Sequence, residues 1–335
     1  MNLLEKLSVS WFNKYDHVLL YLQWGILTLL CLSSCKPRPH VIEGLDSEWP
    51  IIEYPIDNGA DEIKAQLGFD LFHDPNLSID SSVSCASCHL ASHAFSDTVA
   101  FSTGVYGQKG IRNSPTLLNI AYAPYFMREG GVPTLEMQVL VPLQDGLEMD
   151  HNIVAVCHVL NQDSAYAHRF QEVFNDSVSP YTLVRAIANY ERTIVSRDAP
   201  IDKYLNGSDA LDRDALRGAK LYYGKAGCSS CHSGILFTDY GFYNNGTSIA
   251  DNDPGRERHT QDPNDLHLFK TPTLRGLKYT APYMHGGQLQ TLHDVIDQYN
   301  QGGTGHDYTD PRIKPLNLNQ KEKNQLISFL RSLSE

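Results

Sequence analysis

A five-residue unit, Cys-X-X-Cys-His, occurs twice in this chain, as Cys85-Ala-Ser-Cys88-His89 and as Cys228-Ser-Ser-Cys231-His232. Two thiols three positions apart can add to the two vinyl groups of one haem, and the histidine that follows is then placed to bind its iron from one face. A chain with two such units must fold around two large, flat, apolar groups. The simpler readings are a redox dithiol, which has no use for the histidine, and half of a tetrahedral zinc site, which needs a second ligand pair at short range. Neither unit has such a pair nearby. Cys85, Cys88, Cys228 and Cys231 therefore read as attachment points for two covalently bound haem c groups, with His89 and His232 as their proximal iron ligands.

The 335 residues suffice for two domains, each with its own core. The formal charge of −12 survives removal of the first 34 residues, because Glu5 and Asp16 cancel Lys6 and Lys14. An acidic surface argues against nucleic acid and favours a basic partner, such as a small electron-carrying c-type cytochrome. Of the seven cysteines, four belong to the haem units and two, Cys31 and Cys35, lie near the N-terminus. The last, Cys157, sits in the apolar stretch Val154-Ala-Val-Cys157-His158-Val-Leu160 and reads as an inert buried thiol on a helix.

Residues 1–34 read as a secretory signal. Lys6 and Lys14 precede an apolar run, Val18 to Leu32, that at about 15 residues is short for a membrane span. The run ends Leu32-Ser33-Ser34-Cys35, the order of a bacterial lipobox, which makes Cys35 the expected site of lipidation and of membrane anchorage. An uncleaved helical anchor is the alternative, and either one exports the body to the periplasm, where bacteria attach c-type haem. Residues 35–55 read as a tether.

The body is internally duplicated. A short helix with a glycine on its packing face precedes each haem unit, at Ile63–Phe72 with Gly68 and at Ala215–Tyr223 with Gly218. A second shared block follows each unit. Ser114 to Tyr125 leads to Gly130-Gly131 and Thr134-Leu135, and Thr271 to Tyr283 leads to Gly286-Gly287 and Thr291-Leu292. Amphipathic helices at Tyr181–Val195 and Gln320–Leu333 close the halves. β-periodic runs are nearly absent. The expected fold is all-α: two cytochrome c-type haem domains in tandem, 56–203 and 204–335, with long irregular loops. The boundary is expected near Ala199–Asp209, where Pro200 and Gly207-Ser208 interrupt the helical pattern.

The sixth coordination position separates an electron wire from an enzyme. No histidine lies between His93 and His151, and Met127 and Met137 sit beside charged or helical positions. The first iron is therefore read as open, and a small molecule such as peroxide can reach it. Peroxide chemistry there needs a group to carry a proton between the two oxygens, with a polar neighbour. Gln138 and Glu148 are candidates, because Pro142 and Gly146 turn the chain between them. By spacing alone Glu148 is equally a solvated loop carboxylate.

From about Asp61 to Ser332 the chain resembles the bacterial dihaem cytochrome c peroxidase family, including its MauG-type branch. The resemblance rests on Leu71-Phe72, Leu77-Ser78, Ser84 to His89, Ala94-Phe-Ser-Asp97, Gly110-Ile-Arg-Asn-Ser-Pro115, Leu147-Glu-Met149 and Thr280-Ala-Pro-Tyr-Met-His285-Gly-Gly. It implies that Glu148 takes the acid–base position over the first haem and Gln138 the second polar position. It also implies a calcium ion between the two haem domains, held by Asn113 and the carbonyls of Thr280 and Pro282.

Three departures stand out. Val105 occupies the place of a histidine that blocks the first iron in members needing reductive activation. Tyr299 stands where many members carry a methionine on the second iron, as in the MauG-type branch, with Met284 as the rival ligand. A hard phenolate favours ferric iron and lowers its potential. Arg128 replaces a tryptophan that the family usually places between the haems, and pairing with a haem propionate or simple solvation are the two readings open to it. Trp11, Trp24 and Trp49 all lie in the leader or tether.

These readings converge on a periplasmic, lipid-anchored dihaem peroxidase that reduces hydrogen peroxide with electrons from a small cytochrome or similar donor. One alternative is a MauG-type enzyme that oxidises residues of a partner protein, favoured by Val105 and Tyr299 and disfavoured by Arg128. The other is a non-enzymatic electron-transfer cytochrome, which needs a distal ligand on the first iron that the sequence does not supply. Homodimerisation is left open.

Overall fold

The computed structural model describes residues 40–247, 253–304 and 308–335. The leader and Cys35 lie outside them. Within them the chain is helical with long loops: α1 Glu62–His73, α2 Cys85–Cys88, α3 Leu135–Gln138, α4 Leu140–Gln144, α5 Ile153–Gln162, α6 Ser164–Phe174, α7 Pro180–Glu191, α8 Pro200–Leu205, α9 Arg213–Tyr223, α10 Glu257–Thr260, α11 Leu292–Gln301 and α12 Gln320–Arg331. A two-residue antiparallel ribbon pairs β1, Phe242–Tyr243, with β2, Phe269–Lys270.

The helix starts follow from capping chemistry. Asp61, Ser179, Asp212, Thr291 and Asn319 each accept a hydrogen bond from a first-turn backbone N–H, which otherwise has no partner. The closing helices end at Glu191 and Arg331, short of the expected Val195 and Leu333.

Two hydrophobic cores organise the chain. One gathers Leu67, Leu71, Phe72, Val156, Phe170 and Ile187, and the other Ala219, Tyr222, Phe237, Leu326, Phe329 and Leu330. In each, the opening helix crosses the closing helix at the expected glycine. A Cβ on Gly68 would run into the Ala186 carbonyl and the Tyr190 side chain of α7. A Cβ on Gly218 would run into the Gln325 carbonyl and the Phe329 side chain of α12. The same i, i+4 pair on the partner helix therefore receives each glycine.

The first core ends with Ile194, and apart from Ile42 the buried residues of the second run from Ala199 onward. Pro200 does not break a helix here but starts one, at the first position, where its missing N–H costs nothing. Ile201 and Leu205 of that helix pack into the second core, and Asp202 receives two hydrogen bonds from fully buried Arg275, at 2.6 and 2.9 Å. The segment expected as a tether is docked over its described part. Ile42 is buried in the second core, and Trp49 lies between Arg197 and Arg275, each guanidinium 4.8 Å from its ring. Cys157 is buried on α5, and burial pushes its thiol up to about 11, in keeping with an inert group.

Substituting Gly218→Ala should destabilise the holoprotein by about 2 kcal/mol or more, because backbone rather than a flexible side chain must yield. Gly59→Ala, where an added Cβ meets nothing, should stay within about 0.5 kcal/mol of the parent. Thermal unfolding followed by calorimetry checks both.

Candidate functional site

Each Cys-X-X-Cys-His unit forms one tight turn. The backbone N–H of His89 donates to the Cys85 carbonyl at 3.0 Å, and that of His232 to the Cys228 carbonyl at 3.0 Å. The turn brings both thiols and the imidazole onto one short stretch of chain. His89 Nδ1 donates to the Phe95 carbonyl at 2.9 Å, and His232 Nδ1 is shared by the carbonyls of Phe237 and Pro272, both at 3.1 Å. Phe95 and Phe237 each turn their carbonyl inward with a left-handed backbone, at φ 56° and 53°. Burial lowers both imidazole pKa values, so each ring is neutral with Nδ1 committed and Nε2 left as the lone-pair donor. That is the state an axial iron ligand requires.

The frame holding these turns is duplicated at the level of single hydrogen bonds. Thr116 Oγ1 donates to the Ala94 carbonyl, and Thr273 Oγ1 to the Leu236 carbonyl. Ser96 Oγ donates to the Ser114 carbonyl at 2.8 Å, and Thr238 Oγ1 to the Thr271 carbonyl at 2.7 Å. The bridges Phe126–Val132 and Tyr283–Leu289 then set Phe126 against Tyr283. This register differs by one residue from the one suggested by the repeated Ala-Pro-Tyr.

The thiols fit thioether attachment better than the simpler alternatives. Burial pushes Cys88 up to about 11 and Cys228 up to about 12, and raises Cys85 and Cys231 as well. A reactive dithiol or a zinc thiolate site needs neighbours that lower these values. Among the described residues no third cysteine, histidine or carboxylate joins either pair.

On the distal side of the first half, Val105 is fully buried and its N–H donates to the Glu148 carbonyl at 2.9 Å. Gly104 lies so close to Leu147 and Glu148 that a Cβ would strike their backbone. The loop that carries a blocking histidine in the resemblance is thus pinned behind Glu148 and offers only an aliphatic side chain. Glu148 is itself exposed, yet protein atoms crowd its carboxyl. Desolvation, with Asp145 adding repulsion, pushes its carboxyl up to about 7. Gln138, at the end of α3, has a buried Oε1 with no hydrogen-bond partner. An orphaned buried acceptor and a carboxyl poised near neutrality are each features that a site for a polar guest contains. Met137 is half exposed and points to no site.

In the second half, one amide joins both candidate ligands. Asn245 Nδ2 donates to Tyr299 Oη at 3.1 Å and lies 3.4 Å from Met284 Sδ. Burial pushes the Tyr299 phenol up to about 12, so it ionises only if a cation compensates. Asn245 had no signal in the sequence, since nothing in its spacing tied it to either motif.

The calcium ligands do not fit. Asn113 is buried, and its Nδ2 donates to the Val99 carbonyl at 3.1 Å, which turns Oδ1 toward Arg128. The Arg128 guanidinium donates to the Asn113 carbonyl at 2.6 and 3.0 Å and to Asn113 Oδ1 at 3.2 Å. Calcium binds oxygen at about 2.4 Å, so an ion on Oδ1 would stand within about 5.6 Å of a guanidinium nitrogen only 3.2 Å from that oxygen. At that separation the two cations repel by about 6 kcal/mol for an effective dielectric of ~20. Arg128 is half-buried and bonded to Asn113 rather than free in solvent. Burial, with Arg112 adding repulsion, lowers its pKa to about 10, which still leaves it charged at neutral pH.

Comparison with known proteins agrees with this geometry. Residues 62–210 match the family model described as di-haem cytochrome c peroxidase. The chain is 36% identical over 288 residues to the methylamine utilization protein MauG of Methylorubrum extorquens, covering 84% of this chain and 81% of that one. It is 31% identical over 324 residues to the cytochrome c551 peroxidase of Pseudomonas aeruginosa, covering 91% and 90%. Its fold matches the crystal structure of a MauG-like protein associated with microbial copper homeostasis, with a TM-score of 0.81 and 31% identity over 88% of this chain and 96% of that one. The chain belongs to the di-haem cytochrome c peroxidase family.

Proposed function

We propose that this protein is an exported dihaem peroxidase that reduces hydrogen peroxide to water, with two electrons and two protons drawn from a small c-type cytochrome or similar periplasmic donor and from solvent. His89 and His232 would hold one haem c each, through thioethers at Cys85 and Cys88 and at Cys228 and Cys231. Each group then lies in its own half of the chain. The leader would direct export, and Cys35 would carry the lipid that anchors the protein to a membrane.

The observation that carries this reading is the pairing of buried Val105, which supplies no ligand, with neighbouring Glu148, whose carboxyl is poised at about 7. When bound, the haem pair supplies an iron for peroxide and two electrons that split its O–O bond. Glu148 would accept the proton from the inner peroxide oxygen and return it to the outer oxygen, which would leave as water. The Gln138 amide donates to that outer oxygen as charge builds on it. A carboxyl of ordinary acidity would hold too little proton near neutral pH to return it. Raised by burial, Glu148 can do both.

A MauG-type activity on a partner protein is the second reading, and Tyr299 favours it. A phenolate on the second iron keeps the oxidised state accessible, whereas a methionine would raise the potential and make an electron donor.

Stopped-flow absorbance of the fully oxidised protein mixed with peroxide tests the open first iron. Reaction should begin without prior reduction, and silence until an electron is added would mean a hidden ligand. Its rate should fall about tenfold per pH unit below about 7, as Glu148 takes up its proton and ceases to be a base. Glu148→Gln should slow the step by roughly 100-fold or more and flatten that profile.

Tyr299→Phe should raise the potential of the second haem and alter its ferric spectrum, while Met284→Leu leaves both unchanged. The reverse pattern in redox titrations would assign the ligand to Met284.

A further inference from the structure

We propose that Arg128 is the cation of the junction between the two halves, a guanidinium fixed on the oxygens of Asn113 in the place where the family resemblance puts calcium. The protein then holds this junction without a metal ion.

Four observations carry the assignment. Asn113 cannot turn away, because its Nδ2 is tied to the Val99 carbonyl and its own N–H donates across the junction to the His285 carbonyl at 2.8 Å. The Arg128 backbone is fixed as well, because its carbonyl accepts the Lys270 N–H of β2 at 2.7 Å, and three side-chain bonds hold the guanidinium on Asn113. The neighbouring acids are already committed. Glu129 pairs with Arg112 at 2.6 Å, and Asp253 receives two further bonds from the same guanidinium at 2.7 and 2.8 Å. Arg128 therefore stands on neutral oxygens alone, so its charge is the one a bound metal would otherwise contribute. The carbonyls of Thr280 and Pro282 accept no hydrogen bond from another described residue. The expected metal site thus fails through its side-chain ligand, and one residue change would restore it.

This inference goes beyond the peroxidase reading and does not rest on it, since metal content is measured whether or not peroxide reacts. The holoprotein is analysed for calcium by mass spectrometry, titrated with calcium chloride by calorimetry, and melted with and without EDTA. The parent should contain substoichiometric calcium, show no saturable heat up to ~1 mM calcium, and melt at the same temperature in chelator. One tightly held calcium per chain, or a melting temperature that falls in EDTA, would overturn the proposal.

Arg128→Gln removes the charge and keeps a shorter amide donor, ending where the Arg128 Nε bonds the Asn113 carbonyl. That variant should gain a melting temperature that rises with calcium and falls in EDTA. If it is destabilised yet indifferent to calcium, the two cations do not compete for the same oxygens and the replacement is refuted. Should the variant fail to fold, the parent's metal content still decides the matter.

Discussion

The close crossing of an opening and a closing helix, made twice, is the constraint on which the rest depends. At Gly68 and at Gly218 the absent side chain lets two backbones meet where any Cβ would strike a carbonyl. That contact fixes the spacing between α1 and α7 and between α9 and α12. It thereby fixes where the loops running between them can go. Those loops are mostly irregular, so they cannot rely on ladders to satisfy their polar groups. They rely on the repeated hydroxyl-to-carbonyl bonds of Thr116 and Thr273 and of Ser96 and Thr238. The outcome is a pair of inward carbonyls, at Phe95 and Phe237, that hold each imidazole by Nδ1.

One frame serves two different distal faces. Thr134 and Thr291 cap corresponding helices, and eight residues beyond them stand Pro142 and Tyr299. In the second half α11 runs unbroken to Gln301 and carries Tyr299 inward to Asn245. In the first half the same stretch breaks at Val139 into α3 and α4, and proline, which has no ligating atom, occupies the matching place. The break also leaves Gln138 at a helix end with an unsatisfied oxygen. Duplication built both pockets, and this divergence at one helical position separates a face with a candidate ligand from a face without one.

Much of this was legible in the sequence because the signals were local. The Cys-X-X-Cys-His units, the capping residues and the glycine at each crossing act within a few residues of chain. The places where reading failed were those decided by tertiary partners. Pro200 looks like a breaker until the apolar face of Ile201 and Leu205 finds the second core. Trp49 looks like part of a tether until Arg197 and Arg275 close on its ring. Asn113 carries Arg128, fifteen residues away, on its side-chain oxygen, a partner that its motif gives no sign of. Asn245 reads as nothing at all, because its importance comes from two residues in other segments.

The junction shows how one residue can change two properties together. An arginine in place of a tryptophan supplies a fixed charge and also removes an oxidisable indole. The indole nearest in the described chain, Trp49, is flanked by two guanidinium groups at 4.8 Å. Those charges oppose the loss of an electron from its ring. Among the described residues an aromatic contact crosses the junction at Tyr125 on Phe242, stacked with centroids 5.3 Å apart and with the Tyr125 hydroxyl on the Tyr240 carbonyl. A half-buried phenol with a raised pKa and its hydroxyl on a neutral carbonyl has no base beside it to take its proton, so an electron leaving it would leave a proton behind. Passage between the halves is therefore better served by direct tunnelling than by a radical resting on the way. This favours delivery of electrons to peroxide over storage of oxidising power for a distant partner.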